Sequence, residues 1–150
     1  MGISSKIGDI TLATEDCIIS AANTVGVMGK GVAKAIKTRY PWCYLPYKNA
    51  CANNELEPGE IFVVKLEDLE QNPPIIIHAA TKKHWRNKSN IEWVIGCFKN
   101  LRDYAEENQC RSMAVPKLGC GLGGLDWEKV EEEMKSIFDG LDCKIVVYSI

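Results

Sequence analysis

Two kinds of apolar pattern alternate along the 150-residue chain. Cys17 to Ala22, Ile61 to Val64, Ile75 to Ala80 and Ser112 to Pro116 are short, continuous runs rich in small and β-branched residues, the make-up of strands buried on both faces of a parallel or mixed sheet. Ile3 to Ile7 is a weaker strand ending at the turn pair Gly8-Asp9. The last strand, Lys144 to Ile150, alternates less cleanly and is expected at a sheet edge. Helical patterns lie between these runs. One extends from about Val32 to Arg39 and is stopped by Pro41. A second spans Trp42 to Asn54, with Tyr44, Leu45, Tyr47 and Ala50 as packing positions, and Pro58-Gly59 closes it. A third keeps helical period through Ile91, Val94, Ile95, Phe98, Leu101 and Ala105, with Ser89 and Glu92 as its capping box. A fourth has Asp126 as N-cap and Trp127, Val130, Met134, Ile137 and Phe138 on one face. Lys65 to Asn72 is a polar turn region. Strands alternating with helices predict one α/β layered domain over 1–150, a roughly six-stranded mixed sheet between helices.

Composition narrows the function classes. A hydrophobic content of 46% and a charged content of 25% are ordinary for a globular protein. The net charge of -2 argues against broad, charge-driven nucleic-acid binding and confines any polynucleotide contact to a local patch. Seven cysteines, an odd number without a C-x-x-C pair, sit mostly in apolar surroundings. They are expected as buried, reduced thiols of a cytoplasmic protein, or a nuclear one in a eukaryote. No apolar run reaches a signal peptide or a membrane span, and there is no repeat or linker. Neither histidines nor cysteines show ligand spacing, so no metal is expected. No cofactor is expected either, and the expected state is a monomer.

The candidate chemistry lies where strands empty into loops. Gly119-Cys120-Gly121-Leu122-Gly123-Gly124 follows one strand and precedes a helix, which makes it either a phosphate cradle of backbone N–H groups or a turn whose glycines serve only the chain path. Gly119, Gly121 and Gly124 satisfy G-x-G-x-x-G, but the next strand runs into the C-terminus without the acid a dinucleotide fold needs. Asn23 to Gly31 is a second glycine loop after a central strand. Its Gly29-Lys30-Gly31 lacks the Ser or Thr that a P-loop uses to hold magnesium, which excludes nucleotide triphosphate hydrolysis. Two such loops side by side could grip one diphosphate from opposite sides. Thr81-Lys82-Lys83-His84-Trp85-Arg86-Asn87-Lys88 leaves a third strand as a basic loop around an aromatic; it is solvated charge or part of a site at the carboxyl ends of the strands. His78 reads as a hydrogen-bonded core histidine, Asp9 as a turn residue, and Cys120 as a small side chain rather than a nucleophile.

Taken in order, Gly8-Asp9-Ile10-Thr11, Ala21-Ala22-Asn23, Gly29-Lys30-Gly31-Val32-Ala33 and the Gly119 to Gly124 loop resemble the motifs of the macrodomain, the ADP-ribose-binding fold, over nearly the whole chain. Val25 to Gly31, Thr81 to Arg86 and Gly121 to Trp127 look like the DarG antitoxin branch, which removes ADP-ribose from DNA. Thr81-Lys82-Lys83 and Gly119 to Leu122 also resemble the animal branch of terminal ADP-ribose protein glycohydrolases. The resemblance implies a three-layer α/β/α macrodomain with ADP-ribose as ligand and ADP-ribosylated DNA or protein as substrate. Asp9 would accept from the adenine amine, with the backbone of Ile10 beside it, and Asn23 would hold the distal ribose. The loops Gly26 to Gly31, with Gly29, Lys30 and Gly31 leading into Val32, and Gly119 to Gly124, with Gly119, Cys120, Gly121, Leu122 and Gly123, would wrap the diphosphate and that ribose. Thr81 would stand beside them, and Lys82 matches the lysine on which catalysis depends in both branches.

That chemistry is sound for a lysine. An amine can attack the anomeric carbon of ribose and pass through a Schiff base if it is partly neutral, and desolvation together with Lys83 and Arg86 would favour the neutral form. The animal branch carries an acid at the position of Gly123, whereas the DarG branch has glycine. Asp126 is near, but its expected work is the helix N-cap. The DarG proteins continue into a further domain, so a toxin-binding role is not expected here. A reader that binds ADP-ribose without chemistry is the competing function; Lys82 in its basic surroundings speaks for the enzyme.

Overall fold

The structure, a computed structural model, describes residues 2–68 and 70–150; Leu69, inside the polar stretch 65–72, lies outside the described residues. Six strands form one sheet: β1 (Ile3–Ile7), β2 (Cys17–Asn23), β3 (Ile61–Val64), β4 (Ile75–Lys82), β5 (Ser112–Pro116) and β6 (Lys144–Ser149). Their order across the sheet is β1-β6-β5-β2-β4-β3, and only β3 runs antiparallel to its neighbour. The helices are α1 (Gly31–Arg39), α2 (Tyr44–Ala52), α3 (Ile91–Asn108) and α4 (Trp127–Ile137). Because β1, β2, β4, β5 and β6 are parallel, the loops that follow them emerge at one edge of the sheet.

Successive side chains of a strand point to opposite faces, and here each face has its own helical cover. Ile19, Ile77, Met113, Val115, Ile145 and Val147 pack with Val94, Phe98 and Leu101 of α3 and Val130 and Met134 of α4. Ile18, Ile76, Ala114 and Val146 pack on the other side with Ile36 of α1 and Tyr47 and Cys51 of α2. The result is three layers, α/β/α, as expected from the alternation of strands and helices. The seven cysteines are free thiols, six of them buried and Cys120 half-buried.

Three expectations fail, each because the outcome depends on contacts beyond the local pattern. β6 is not an edge. It pairs with β1 on one side and β5 on the other, leaving β1 and β3 as the edges. Leu45 does not pack inward; it is 59% exposed, while Tyr47 and Ala50 carry the contact of α2. The cap of α3 is Asn90, whose side chain accepts from the Glu92 N–H at 2.8 Å. Ser89 stands one residue earlier and is used elsewhere.

Candidate functional site

The first glycine loop is built by one side chain. Asn23, the last residue of β2, is buried, and its Oδ1 accepts from the N–H groups of Val25, Gly26 and Val27 at 3.1, 3.1 and 3.2 Å. Its Nδ2 donates to Val27 O at 2.9 Å. Asn23 is fixed in turn by Tyr47, whose hydroxyl donates to Asn23 O at 2.7 Å and accepts from Asn23 N at 3.3 Å. Tyr47 stacks on His78 at 4.3 Å between ring centroids, and His78 Nε2 bonds Cys43 O at 2.9 Å. Burial holds the His78 pKa down to about 4, so it is neutral near pH 7, a core histidine as its strand position suggested. Gly26 has φ +83, and a Cβ there would lie 3.3 Å from Lys48 Cα, so this turn requires glycine.

The loop feeds directly into α1. Lys30 at the N-cap makes no side-chain capping bond, and the first turn carries no acid. The opening N–H groups of this nine-residue helix are thus available to an anion, on the positive end of the helix dipole.

The second glycine loop is held differently. Leu125 N donates to Gly119 O at 2.9 Å, and Gly123 O accepts from Ser89 N at 3.0 Å. At the start of the helix that follows, Asp126 is the cap and accepts from Glu128 N at 3.2 Å, so a carboxylate already stands where an anion would sit. Asp126 is a cap, as its sequence position indicated. Burial raises the Cys120 pKa, which suits a small wall side chain and not a thiolate nucleophile.

Between the two loops ends β4. Its pairing with β2 is regular from Cys17↔Ile75 to Ala22↔Ala80, then shifts so that Asn23 lies opposite Lys82. Thr81 is thereby the extra residue of a bulge, a device that re-aims the side chains beside it. Thr81 is buried. Lys82 is half-exposed and has no ion-pair partner among the described residues. The next residue pins the arrangement: Lys83 O accepts from Thr24 Oγ1 at 2.7 Å and Thr24 N at 3.3 Å.

These elements enclose a crevice of about 580 Å³, within the range of small-molecule sites. Asn23, Gly29, Lys30, Gly31, Val32, Thr81, Lys82, Gly119, Cys120, Gly121, Leu122 and Gly123 all line it. Lys117 adds a third lysine to Lys30 and Lys82, and among the described residues no Asp or Glu side chain lines the cavity. Asp9 and Ile10 are not in its wall. Asp9 is exposed and its Oδ1 already accepts from Thr11 N and Thr11 Oγ1 at 2.9 and 2.7 Å, bonds that hold its pKa low. It stands just past the crevice, since Gly8 N donates to Ser149 O at 2.8 Å and Ser149 is a wall residue. Asn23 is brought into the wall, but its amide oxygen is saturated by the loop, so a ribose could not use it as an acceptor. The sequence reading missed Ser89, Pro116, Lys117, Tyr148 and Ser149 as wall residues. Pro116, Lys117, Tyr148 and Ser149 share one signal, a place at or just beyond the carboxyl end of a parallel strand, whereas Ser89 lies in the stretch that leads into α3.

A crevice lined by three lysines at the carboxyl ends of parallel strands, with a helix start at its wall, defines an α/β protein whose site has the charge and position suited to a nucleotide-like, anionic ligand. The chain belongs to the macrodomain family, whose profile for the macro domain matches residues 19–134. The protein named DNA ADP-ribosyl glycohydrolase of Mycobacterium tuberculosis is 41% identical over 142 residues, 94% of this chain and 40% of that protein. The chain thus spans about two-fifths of the length of this curated relative. The solved macrodomain of Mycobacterium tuberculosis DarG superposes with a TM-score of 0.93 at 39% identity, over 99% of this chain and 98% of that one. Thermosipho africanus DarTG in complex with ADP-ribose gives a TM-score of 0.88 at 30% identity, over 97% of this chain and 41% of that one.

Proposed function

We propose that this chain binds ADP-ribose in the crevice and removes it from a modified macromolecule, with ADP-ribosylated thymine in single-stranded DNA as the substrate and Lys82 as the nucleophile. The observation that carries this reading is the placing of Lys82 at the end of β4, in the cavity wall between the two glycine loops and without an ion-pair partner among the described residues. The open start of α1 is the natural seat of the diphosphate. With the ligand so held, the Lys82 amine attacks the anomeric carbon of the distal ribose, and the bond to the base breaks as the base takes up a proton. The lysine-bound sugar opens to an imine, and water then releases ADP-ribose and restores the amine. The relatives named as DNA ADP-ribosyl glycohydrolases support a DNA target. So does the loop after β4, where Trp85 is 42% exposed with the Arg86 guanidinium 4.8 Å from its ring, a surface on which a base can stack.

The test is a gel-shift time course on a single-stranded oligonucleotide carrying ADP-ribose on thymine, run with the wild type and Lys82→Ala beside an ADP-ribosyl-Glu peptide. The expected result is removal from the DNA by the wild type alone. Cleavage of the peptide only would reassign the substrate to protein. Tight binding of ADP-ribose with no cleavage of either would make the domain a reader and remove Lys82 from catalysis.

A further inference from the structure

The second glycine loop leaves no room for a side chain where it passes Lys82. A Cβ on Gly123 would lie 2.5 Å from Ser89 Oγ, 3.1 Å from Ser89 Cβ and 3.9 Å from Lys82 Cε. A Cβ on Gly119, at the other end of the loop, would lie 3.4 Å from Ser89 Cβ. One side chain therefore packs against both ends of the loop, and Gly123, which it touches, is the loop residue that faces the stem of the lysine. Ser89 is 8% exposed and lines the crevice. Its N–H donates to Gly123 O at 3.0 Å, and its hydroxyl lies 3.4 Å from Thr81 Oγ1, on the bulge that precedes Lys82.

The alkyl stem of a lysine has several rotamers to lose, and attack on a sugar carbon needs the amine within a narrow range of distance and angle. A loop held firmly beside the stem removes part of that freedom before the substrate arrives. We propose that Ser89 is a positioning residue for Lys82: its side chain, seated against Gly123 and beside Thr81, fixes the spacing between β4 and the second glycine loop, and with it the loop face along which the lysine stem runs. This rests on Lys82 as the nucleophile proposed above. It also explains why Ser89 does not cap α3, a task that Asn90 performs.

Two readouts on the whole chain test it. The first is steady-state cleavage of the thymine-ADP-ribosylated oligonucleotide. The second is trapping of free ADP-ribose with cyanoborohydride: the Lys82 amine condenses with the C1″ aldehyde of the ring-opened sugar and loses water, and hydride from the reagent reduces the imine to a stable secondary amine found by peptide mass spectrometry. Ser89→Ala and Ser89→Gly are expected to lower kcat and the trapping rate about 10–30-fold while KM and the affinity for ADP-ribose stay within about twofold, the signature of lost positioning rather than lost binding. Gly123→Ala is expected to be slower still, and adding Ser89→Gly to it to restore about tenfold or more, because the glycine vacates the space the new methyl needs. Wild-type trapping and turnover in both Ser89 variants, or a Gly123→Ala defect of the same size with and without Ser89→Gly, would overturn the proposal. An adduct on Lys82 that forms equally in all variants overturns the Ser89 role alone. No adduct on Lys82 in the wild type overturns the nucleophile reading, and the Ser89 role with it.

Discussion

The two glycine loops look alike in sequence and are built on opposite principles. The loop after β2 is organised from below by polar groups: three N–H groups converge on Asn23 Oδ1, Asn23 rests on Tyr47, and Tyr47 stacks on the buried, neutral His78. It ends in a helix start with no capping side chain. The loop after β5 is shaped by contact, with Val94, Leu125 and Ser89 crowding its glycines, and it ends in a helix that Asp126 has already capped. The first loop therefore opens on unspent helix donors, and the second is a shaped wall. A glycine-rich strand-to-helix turn becomes a phosphate cradle only where the protein leaves the helix donors unspent.

The largest expected effect is on the polar support. Asn23→Ala strips the acceptor from three N–H groups and should cost about 3–4 kcal/mol in urea unfolding, with at least a tenfold loss of ADP-ribose affinity by calorimetry. Unchanged affinity would show that the first loop holds its shape without this hub. Gly119→Ala places a methyl 2.6 Å from Leu125 Cδ1 and 2.9 Å from Val94 Cγ2 at a φ of +78, and should cost about 2–3 kcal/mol. This variant measures the packed loop in the same experiment.

Acid should act on one loop only. The unfolded chain binds a proton at His78 near pH 6.5, whereas the folded chain binds it only at about 4. The unfolded state takes up the extra proton between these values, so this contribution is complete above pH 6.5 and is lost as pH falls toward 4. Lowering the pH from 7.5 to 5 should remove about 2 kcal/mol through His78, and His78→Gln should lose that part of the pH dependence. An identical pH profile in the variant would clear His78 of the effect. The smallest change is expected from Asp126→Ala, about 1 kcal/mol in stability with ADP-ribose affinity unchanged within twofold. A clear loss of affinity would mean that α4 also serves the ligand.

What could be read from the chain follows the range of each interaction. β2 and β4 are buried on both faces and their apolar runs say so directly; α3 and α4 declare themselves by period. The place of β6 between β1 and β5 depends on strand order, which its own residues do not encode. Ser89 shows the same limit at the site. Ser-x-x-Glu is a sound cap signal, but Asn90 offers a competing one, and what draws Ser89 away is contact with a loop more than thirty residues on. The wall residues from the glycine loops were legible because glycine and asparagine announce special backbone geometry. Lys117, Tyr148 and Ser149 were not, since a strand end carries no mark of what lies across a crevice from it. Asn23 was found as a site residue, yet its work on Val25, Gly26 and Val27 appears only once the loop is folded.

The division between an open and a closed helix start can be measured directly by titrating ADP-ribose into isotope-labelled protein and following backbone amide shifts. The largest changes should fall on Gly31, Val32 and Ala33 at the start of α1, with Trp127, Glu128 and Lys129 at the start of α4 nearly still. Shifts at α4 equal to or larger than those at α1 would contradict the account, because the diphosphate would then sit on the helix that Asp126 is said to close.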